Sequence, residues 1–265
     1  MRILIDNTIL YAGGGVQVAI SFLNDLKEID KKNEYFILQS PTVRKSINED
    51  EFPKNFHFYH FENSGKFLIF KKSKWTKEME DKIKPDIIFT TFGPSYHKSN
   101  YKKVVGFARG HILYMDSPYF KRISFVQRMK QNLLNNLHLL FFKRSSDFLI
   151  FETEDARRRF GNFSNIQSAC VSNTINSIFY EEDRWEPFHF PNDKFRIIYV
   201  SAYYSHKNFE VIPSVIDNLI EGGLKTFSIV LTVNKTELNF PERYYEFIEC
   251  LGKVSIEKLP RIYKQ

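Results

Sequence analysis

The sequence is poor in cysteine, tryptophan and glycine for a chain of 265 residues. The two cysteines, Cys170 and Cys250, lie far apart, and neither belongs to a CxxC pair. This pattern excludes a disulfide-rich scaffold and a cysteine-based zinc site, and it is typical of proteins in a reducing compartment.

Long apolar runs are also missing from the sequence. The N-terminal run of residues 3–5 is followed directly by Asp6, which is far short of the apolar core of a signal peptide. No stretch approaches the about 20 apolar residues that a transmembrane helix needs. These features predict a cytoplasmic protein. Peripheral association with the inner face of the membrane is compatible with them.

Acidic residues are missing from one stretch, 117–146, in a chain whose net charge is +7. The cations within this stretch are Lys121, Arg122, Arg128, Lys130, Lys143 and Arg144. Such a one-sided concentration of charge suits phosphate groups or an anionic membrane surface. Nucleic acid is not predicted as a partner, because the sequence has no RRM, KH, zinc-finger or homeodomain signature.

Short apolar runs alternate with segments of helical period, as in βα units that build a parallel sheet buried on both faces. We predict strands at 2–5, 35–38, 56–61, 87–91, 104–107, 148–151, 169–171, 195–201, 227–233 and 247–250. Helices are predicted at 16–29, 123–142, 155–160, 208–220 and 256–263. The fold class is therefore α/β.

The alternation breaks at 180–193, which contains two prolines and five acidic residues and is predicted to be a linker. We expect a Rossmann-like domain at 1–179 and a second one at 194–265. This second stretch is short for a doubly wound domain, which usually needs about 100–150 residues. The second domain is thus predicted to be cut short after its first βα units.

Gly13, Gly14 and Gly15 lie between the first predicted strand and the first predicted helix. Glycines at this position let a ligand approach the backbone closely, and the free N–H groups of a helix start attract anions. The dinucleotide fingerprint requires a further glycine where this chain has Val18, so a nicotinamide-dependent oxidoreductase is disfavoured. A flexible turn without a ligand is the alternative.

The stretch 200–208 leads from a predicted strand into a predicted helix and contains Lys207 next to Asn208. A lysine beside a helix N-terminus is placed to bind a phosphate, because its ammonium group and the free N–H groups attract the same anion. Asn208 is predicted to be the N-cap of that helix. The alternative for Lys207 is a solvated surface lysine.

Several segments resemble family 4 glycosyltransferases of the two-domain GT-B type, and they occur in the family's order. They are AGGGVQVAISFLNDL, KPDIIFTTFGPSYH, FLIFETEDARRRF, VSNTINSIF, IIYVSAYYSHKNFEVI and LGKVSIEKLPRIYKQ. The resemblance covers the chain but only the front of the family's second domain. It implies retaining transfer of a sugar from a nucleotide-sugar to a glycan or lipid-linked glycan, without a metal or other cofactor.

The resemblance also implies which residues contact the substrates. Lys207 is implied as the catalytic cation that holds the donor diphosphate. The other residues implied at the diphosphate are Gly14, Gly15, Ser201, His206 and Asn208. Residues at strand ends are implied to contact the acceptor or line the cleft, namely Thr91, Gly93, His97, Arg109, His111 and Glu152.

Some of these residues have ordinary structural alternatives. Histidines such as His97 and His111 are more often packing or surface residues than catalytic groups. Glu152 precedes Thr153, which is predicted to cap a helix with an acidic first turn. Arg109 has less reason to be structural, because it follows a buried strand between small residues.

Two departures from the family pattern bear on activity. Ala202 stands where many relatives have an arginine that shares the diphosphate. The family's pair of donor-binding glutamates would come after residue 265. On this interpretation the chain by itself binds a nucleotide-sugar weakly or not at all. A non-catalytic module that binds anions or a membrane surface is the alternative function.

The predicted helix 123–142 carries an apolar stripe formed by Val126, Met129, Leu133, Leu137 and Leu140. Its spacing is typical of a helix that faces a protein core, and we favour this interpretation for the stripe. Leu134, Phe141 and Phe142 extend the apolar surface beyond one face and are flanked by cations. That arrangement is typical of proteins that dock on anionic lipid, which is the second interpretation.

Overall fold

The computed structural model describes residues 1–61, 69–191 and 194–264. The chain forms two compact units, Met1–Thr174 and Ile175–Gln265, which we call unit 1 and unit 2. Each unit contains its own sheet. Residues 192 and 193 of the predicted linker lie outside the described residues, as does Gln265.

Unit 1 is built around a parallel sheet. Its strands are β1 (Arg2–Asn7), β2 (Glu34–Gln39), β3 (Phe56–His60), β4 (Ile87–Thr90), β5 (Lys103–Phe107), β6 (Phe148–Phe151) and β7 (Gln167–Cys170). Their spatial order is β3-β2-β1-β4-β5-β6-β7, with parallel neighbours throughout. This is a Rossmann-like order, and it reverses between β1 and β4, the point at which such sheets commonly bind ligands.

The helices described in unit 1 connect these strands. They are α1 (Gly14–Ile29), α2 (Pro41–Lys45), α3 (Ile69–Ile83), α4 (Gly110–Leu113), α5 (Pro118–Arg122), α6 (Phe125–Ser145) and α7 (Glu154–Gly161). Helix α1 packs on one face of the sheet, where Leu23 meets Ile5. Helix α3 packs on the other face, where Met79 meets Leu4. Successive residues of a strand point to opposite faces of the sheet. Since helices cover both faces here, β1 needs a continuous apolar run.

The predicted strands are all present, and their ends differ from the predicted ones by no more than two residues. Helix α3, by contrast, is not predicted, and neither are the short helices α2, α4 and α5. The buried residues of α3 are Lys72, Thr76, Met79, Glu80 and Ile83. Since most of these are polar, α3 lacks the apolar periodicity by which a buried helix is identified.

The apolar stripe of α6 faces away from the core of unit 1, so the interpretation favoured from the sequence is wrong. The stripe residues are exposed, whereas the buried residues of α6 are Asn135, Phe142 and Ser145. Hydrogen bonds hold this other face in place. Asn135 Nδ2 donates to His111 O at 2.7 Å, and Ser145 Oγ donates to Ser95 O at 2.8 Å.

Unit 2 contains β8 (Phe195–Tyr199), β9 (Phe227–Leu231) and β10 (Ile248–Cys250), which are parallel and lie in the order β10-β9-β8. Helix α8 (Ile212–Glu221) packs on them, and α9 (Leu259–Tyr263) follows. Ile216, Ile229 and Leu231 are at the centre of the core. None of the helices in the described part of the chain is long and apolar enough to cross a membrane.

The described part of the segment predicted as a linker, 180–191, packs against the end of the chain. Glu186 N donates to Glu257 O at 3.0 Å, and Lys264 Nζ lies 4.2 Å from the centre of the buried Trp185 ring. The other tryptophan, Trp75 on α3, packs on Phe61 with ring centres 5.4 Å apart. Each unit therefore holds one of the chain's two tryptophans.

Candidate functional site

The carboxyl ends of β1 and β4 bring two polar side chains together at the switch point of unit 1. Thr91 Oγ1 donates to Asn7 Oδ1 at 2.5 Å, and both residues are buried. Asn7 Nδ2 is buried and has no hydrogen-bond partner within the described residues. A buried donor without an acceptor is costly, by about 1–3 kcal/mol.

The three glycines after β1 differ in backbone conformation and in the space around the α-carbon. Gly13 has a φ of 73°, which favours glycine. A Cβ on Gly15 would lie 3.3 Å from Phe92 Cδ2 and 3.4 Å from Leu10 Cδ2, so packing explains that glycine. A Cβ on Gly14 would meet nothing within 4 Å. Gly14 is therefore the glycine whose bare backbone faces open space.

Helix α1 begins at Gly14 with no side-chain cap and no acidic residue in its first turn. Its first N–H groups and the positive end of its dipole are thus left for an anion or another hydrogen-bond acceptor. The predicted glycine turn between a strand and a helix is confirmed, with the helix starting two residues earlier than expected.

A cavity of about 410 Å³ lies beside α1, over the carboxyl halves of β4, β5 and β6. Its apolar part includes Phe22 and Ile150, and its polar part includes Thr91, Glu152 and Asn173. Asn173 Nδ2 donates to Glu152 Oε1 at 3.0 Å. The structure therefore brings Thr91 and Glu152, both expected from the sequence, to one cavity.

Asn173 is a polar residue of this cavity that the sequence analysis did not select. It follows β7, just as Thr91 follows β4. The rule that polar side chains after parallel strands gather at one sheet edge would have identified it. Asp25 was also missed, because it lies on α1, where a single carboxylate on a surface helix gives no signal.

Packing accounts for Gly93. A Cβ there would lie 2.5 Å from Val105 Cγ1 and 2.8 Å from Phe142 Cε1, closer than real Cβ contacts occur. His111 is also packed, with its ring 5.0 Å from that of Tyr119. Neither residue needs a ligand to explain its presence.

His97 belongs to a buried ion cluster instead of an open cleft. His97 Nε2 lies 2.7 Å from Glu80 Oε1, and Lys103 Nζ lies 3.1 Å from the same oxygen. Ser99 Oγ donates to Glu80 Oε2 at 2.7 Å. Burial alone would raise the pKa of Glu80, but the bond from His97 and the charge of Lys103 outweigh it and lower the pKa to about 2.

Arg109 follows β5 and is exposed. Within the part of the chain that the structure describes, no ion pair involves its guanidinium group. Its charge adds to the effect of burial in lowering the pKa of His138 to about 4. Arg109 is therefore a cation at the carboxyl edge that remains available to an anion.

In unit 2, the turn after β8 differs from the predicted one. The regular helix α8 begins at Ile212, and two short 3₁₀ turns precede it. Asn208 lies between these turns in the left-handed conformation, with a φ of 58°. Asn208 is therefore not the N-cap of α8. Asparagine tolerates this conformation better than most residues do, which explains its presence between the turns.

Lys207 is exposed on this turn, and no ion pair in the described ranges includes it. Its backbone oxygen accepts a hydrogen bond from Tyr199 OH at 2.6 Å, which ties the turn to β8. The His206 ring stacks on Tyr204 with ring centres 5.5 Å apart. Partial burial and, next, the charge of Lys207 lower the pKa of His206.

Ser201 lies at the end of the same edge. Its backbone N–H donates to Thr232 Oγ1 at 2.9 Å, which joins the carboxyl ends of β8 and β9. The turn thus brings Ser201, His206 and Lys207 to one sheet edge. Among the residues that the structure describes, no group of three His, Cys, Asp or Glu side chains is arranged to hold a metal ion.

The chain matches no protein-family model, and no curated protein matches it in sequence. Solved structures do resemble it. HepE from Anabaena in complex with UDP and glucose has a TM-score of 0.58 and is 12% identical, over 99% of this chain and 71% of that one. A glycosyltransferase from Rickettsia africae has a TM-score of 0.57 at 14% identity, over 99% and 70%.

The UDP-GlcNAc 2-epimerase from Methanocaldococcus jannaschii is a further similar structure, with a TM-score of 0.52 at 10% identity, over 100% of this chain and 76% of that one. Identities this low establish a common fold and not a common activity. The chain thus has an α/β fold of the GT-B type, with a Rossmann-like parallel sheet in unit 1, as the sequence predicted.

Proposed function

We propose that this chain is a nucleotide-sugar-dependent glycosyltransferase of the retaining type, related to family 4. Residues 1–179 serve the acceptor, residues 180–193 are the linker, and residues 194–265 serve the donor diphosphate. The observation that carries the proposal is the turn after β8, where Lys207 is exposed and unpaired within the described residues. The solved structures similar to this chain include one with UDP-glucose, which supports the choice of donor.

Lys207 acts on the charge that develops during transfer. The bond between the anomeric carbon of the sugar and the diphosphate oxygen breaks, and negative charge grows on that oxygen. An ammonium group on this turn stabilises this charge more in the transition state than in the bound donor. The acceptor hydroxyl oxygen forms the new bond to the anomeric carbon, and its proton passes to the departing diphosphate oxygen. His206 offers a hydrogen bond to the same group.

In unit 1 we assign acceptor contacts to Thr91, Glu152 and Arg109. A hydroxyl and a carboxylate at one cavity suit the hydroxyl groups of a sugar, and Arg109 suits an anionic group on the acceptor. Gly14 leaves room for a ligand to approach the start of α1. A glycan or lipid-linked glycan fits these groups, and we place the reaction in the cytoplasm.

Calorimetric titration of UDP, GDP, UDP-glucose and UDP-GlcNAc tests the donor site. Because the family's donor-binding glutamates are not among these residues, we expect one nucleotide series to bind weakly. Lys207→Ala should lower that affinity by about tenfold or more, since a bond to a charged group contributes about 1.5–3 kcal/mol. The matched control is Lys225→Ala, which removes an exposed lysine of the same unit. Equal affinity for both variants would refute the role of Lys207.

Product analysis tests the reaction itself. The protein is incubated with the nucleotide-sugar that binds and with a panel of glycan acceptors. The sugar that is transferred is expected to retain its anomeric configuration. Epimerisation of the donor sugar without transfer would refute the proposal. The chain would then have the activity for which the similar UDP-GlcNAc 2-epimerase is named.

A further inference from the structure

The polar and apolar faces of helix α6 are exchanged relative to those of an ordinary amphipathic helix in a soluble protein. Its inner face contains polar side chains, and Gln131 Nε2 donates to Asn135 Oδ1 at 2.9 Å within that face. Its outer face contains the apolar stripe Val126, Met129, Leu133, Leu137 and Leu140. The usual arrangement is the reverse, with the apolar stripe towards the core.

The stripe is both exposed and continuous. Val126 is 74% exposed and Leu133 is 71% exposed. From Val126 to Leu140 the stripe extends for about 21 Å along the helix axis, at about 1.5 Å per residue. Soluble proteins rarely expose an apolar patch of this kind unless it contacts a partner.

Helix α6 is capped at its start and anchored in the core of unit 1 near its end. Ser124 and Gln127 form a capping box at the start of the helix. At the other end Phe142 is fully buried in the core formed with Phe107 and Leu149. The stripe is therefore presented by a helix of defined orientation.

Charge identifies the partner of this surface. Residues 117–146 include no acidic residue, and Lys130 and Arg144 lie on the same side of the helix as the stripe, at helical spacings from Val126 and Leu140. Two copies of the chain that paired through this surface would bring like charges together. An anionic bilayer offers apolar chains to the stripe and negative headgroups to the cations.

We propose that α6 is a membrane-docking helix that lies in the interface of an anionic bilayer, with Val126, Leu133 and Leu137 towards the acyl chains. The proposal rests on α6 alone and holds whether or not the chain transfers sugars. It places unit 1 at the membrane surface, where an acceptor linked to a lipid is presented.

Flotation with vesicles tests the proposal. The whole chain is mixed with vesicles of phosphatidylcholine alone or with about 30% phosphatidylglycerol, and the bound fraction is measured at low and high salt. We expect binding to the anionic vesicles that falls steeply with salt. Indifference to anionic lipid and to salt would overturn the proposal.

Two variants separate the apolar and the charged contributions. The double substitution Leu133→Gln and Leu137→Gln is expected to lower the partition coefficient at least about tenfold. The double substitution Lys130→Ser and Arg144→Ser is expected to lower it by more than about tenfold, at about fivefold per cation. Both changes are on the exposed face, so circular dichroism should remain that of the wild type.

The matched controls are Phe70→Gln and Lys77→Ser, which alter an exposed apolar residue and an exposed lysine of α3. Neither is expected to change vesicle binding, and an equal loss in the controls would overturn the proposal. Sedimentation velocity without lipid provides the last check. A dimer that the Leu133→Gln and Leu137→Gln changes dissociate would show that a second copy covers the stripe.

Discussion

Lys103 Nζ donates to Glu80 Oε1 at 3.1 Å, and both side chains are almost completely buried. Lys103 begins β5, whereas Glu80 lies on α3, so the pair joins the sheet to the helix on one of its faces. Lys103 Nζ also donates to Ser95 Oγ at 3.1 Å. The pair thereby fixes the loop after β4, which includes Thr91 and His97.

Removing the charge of Glu80 should strongly destabilise the protein. In Glu80→Gln the ammonium group of Lys103 loses its carboxylate while it stays buried, which costs about 3–5 kcal/mol. The control is Glu78→Gln, which affects an exposed pair with Lys74 and should cost about 0.5 kcal/mol or less. Urea unfolding measures both, and a loss below about 1 kcal/mol for Glu80→Gln would contradict the prediction.

The ionised carboxylate of Glu80 should also make the stability of the protein sensitive to acid. Its pKa is about 2 in the folded protein against an ordinary value of 4.5, so folding favours the ionised form. The stabilisation is complete above about pH 4.5 and disappears as the pH falls towards 2, with a total of up to about 3 kcal/mol. The difference in unfolding free energy between the wild type and Glu80→Gln should therefore narrow between pH 6 and pH 3. A constant difference would refute the assignment.

Lys72 should have the opposite effect on stability, because its buried charge destabilises the folded protein until alkaline pH removes it. Burial lowers its pKa from 10.5 to about 8, with the charge of Asp6 acting against the shift. Below pH 8 the folded state bears the full cost of the buried ammonium group, and the cost is relieved as the pH rises from 8 to 10.5. Lys72→Met should therefore stabilise the protein at pH 7 by about 1–2 kcal/mol and by less at pH 10.

The control for this prediction is Lys77→Met, an exposed lysine on the same helix. It should change stability by less than about 0.5 kcal/mol at either pH. If Lys72→Met proves destabilising at pH 7, then the contact of Lys72 Nζ with the Tyr11 ring, at 4.1 Å from its centre, outweighs the cost of burial.

Gly14 offers a test of ligand approach that leaves the fold intact. A Cβ there meets no atom within 4 Å, so Gly14→Ala should keep the unfolding free energy within about 1 kcal/mol of the wild type. If a ligand approaches this backbone, the methyl group should weaken its binding by about tenfold. The control is Gly161→Ala on α7, which is equally free of contacts. Unchanged nucleotide and acceptor binding in Gly14→Ala would exclude this loop from the site.

Most of the sheet strands were predictable because they are compact apolar runs, such as Phe148–Phe151, whose bounds agree in full. The helices were less predictable, since their positions depend on tertiary partners. Helix α3 buries Lys72 and Glu80, whose partners lie far away in sequence, so no local pattern indicates its inner face. In α6 the apolar period correctly predicts a helix but not which face it buries.

The candidate site shows the same division. Thr91 was found because strand ends meet at one edge, a rule that needs only the order of the elements. Glu152 was found through the resemblance to family 4 glycosyltransferases. His97 also follows a strand, but its side chain binds Glu80 on α3. Because α3 was not predicted from the sequence, this partner of His97 could not be predicted either. The conformation of Asn208 depends on two 3₁₀ turns that have no sequence signature.

The placement of one tryptophan in each unit gives the protein a built-in pair of optical reporters. In Trp185→Phe the remaining indole emission comes from Trp75 and follows the unfolding of unit 1, and in Trp75→Phe it comes from Trp185 and follows unit 2. Coincident denaturation curves from the two variants would mean that the units melt as one cooperative system. Separate curves would give each unit its own free energy of unfolding, so that every substitution described above could be assigned to the unit that it affects.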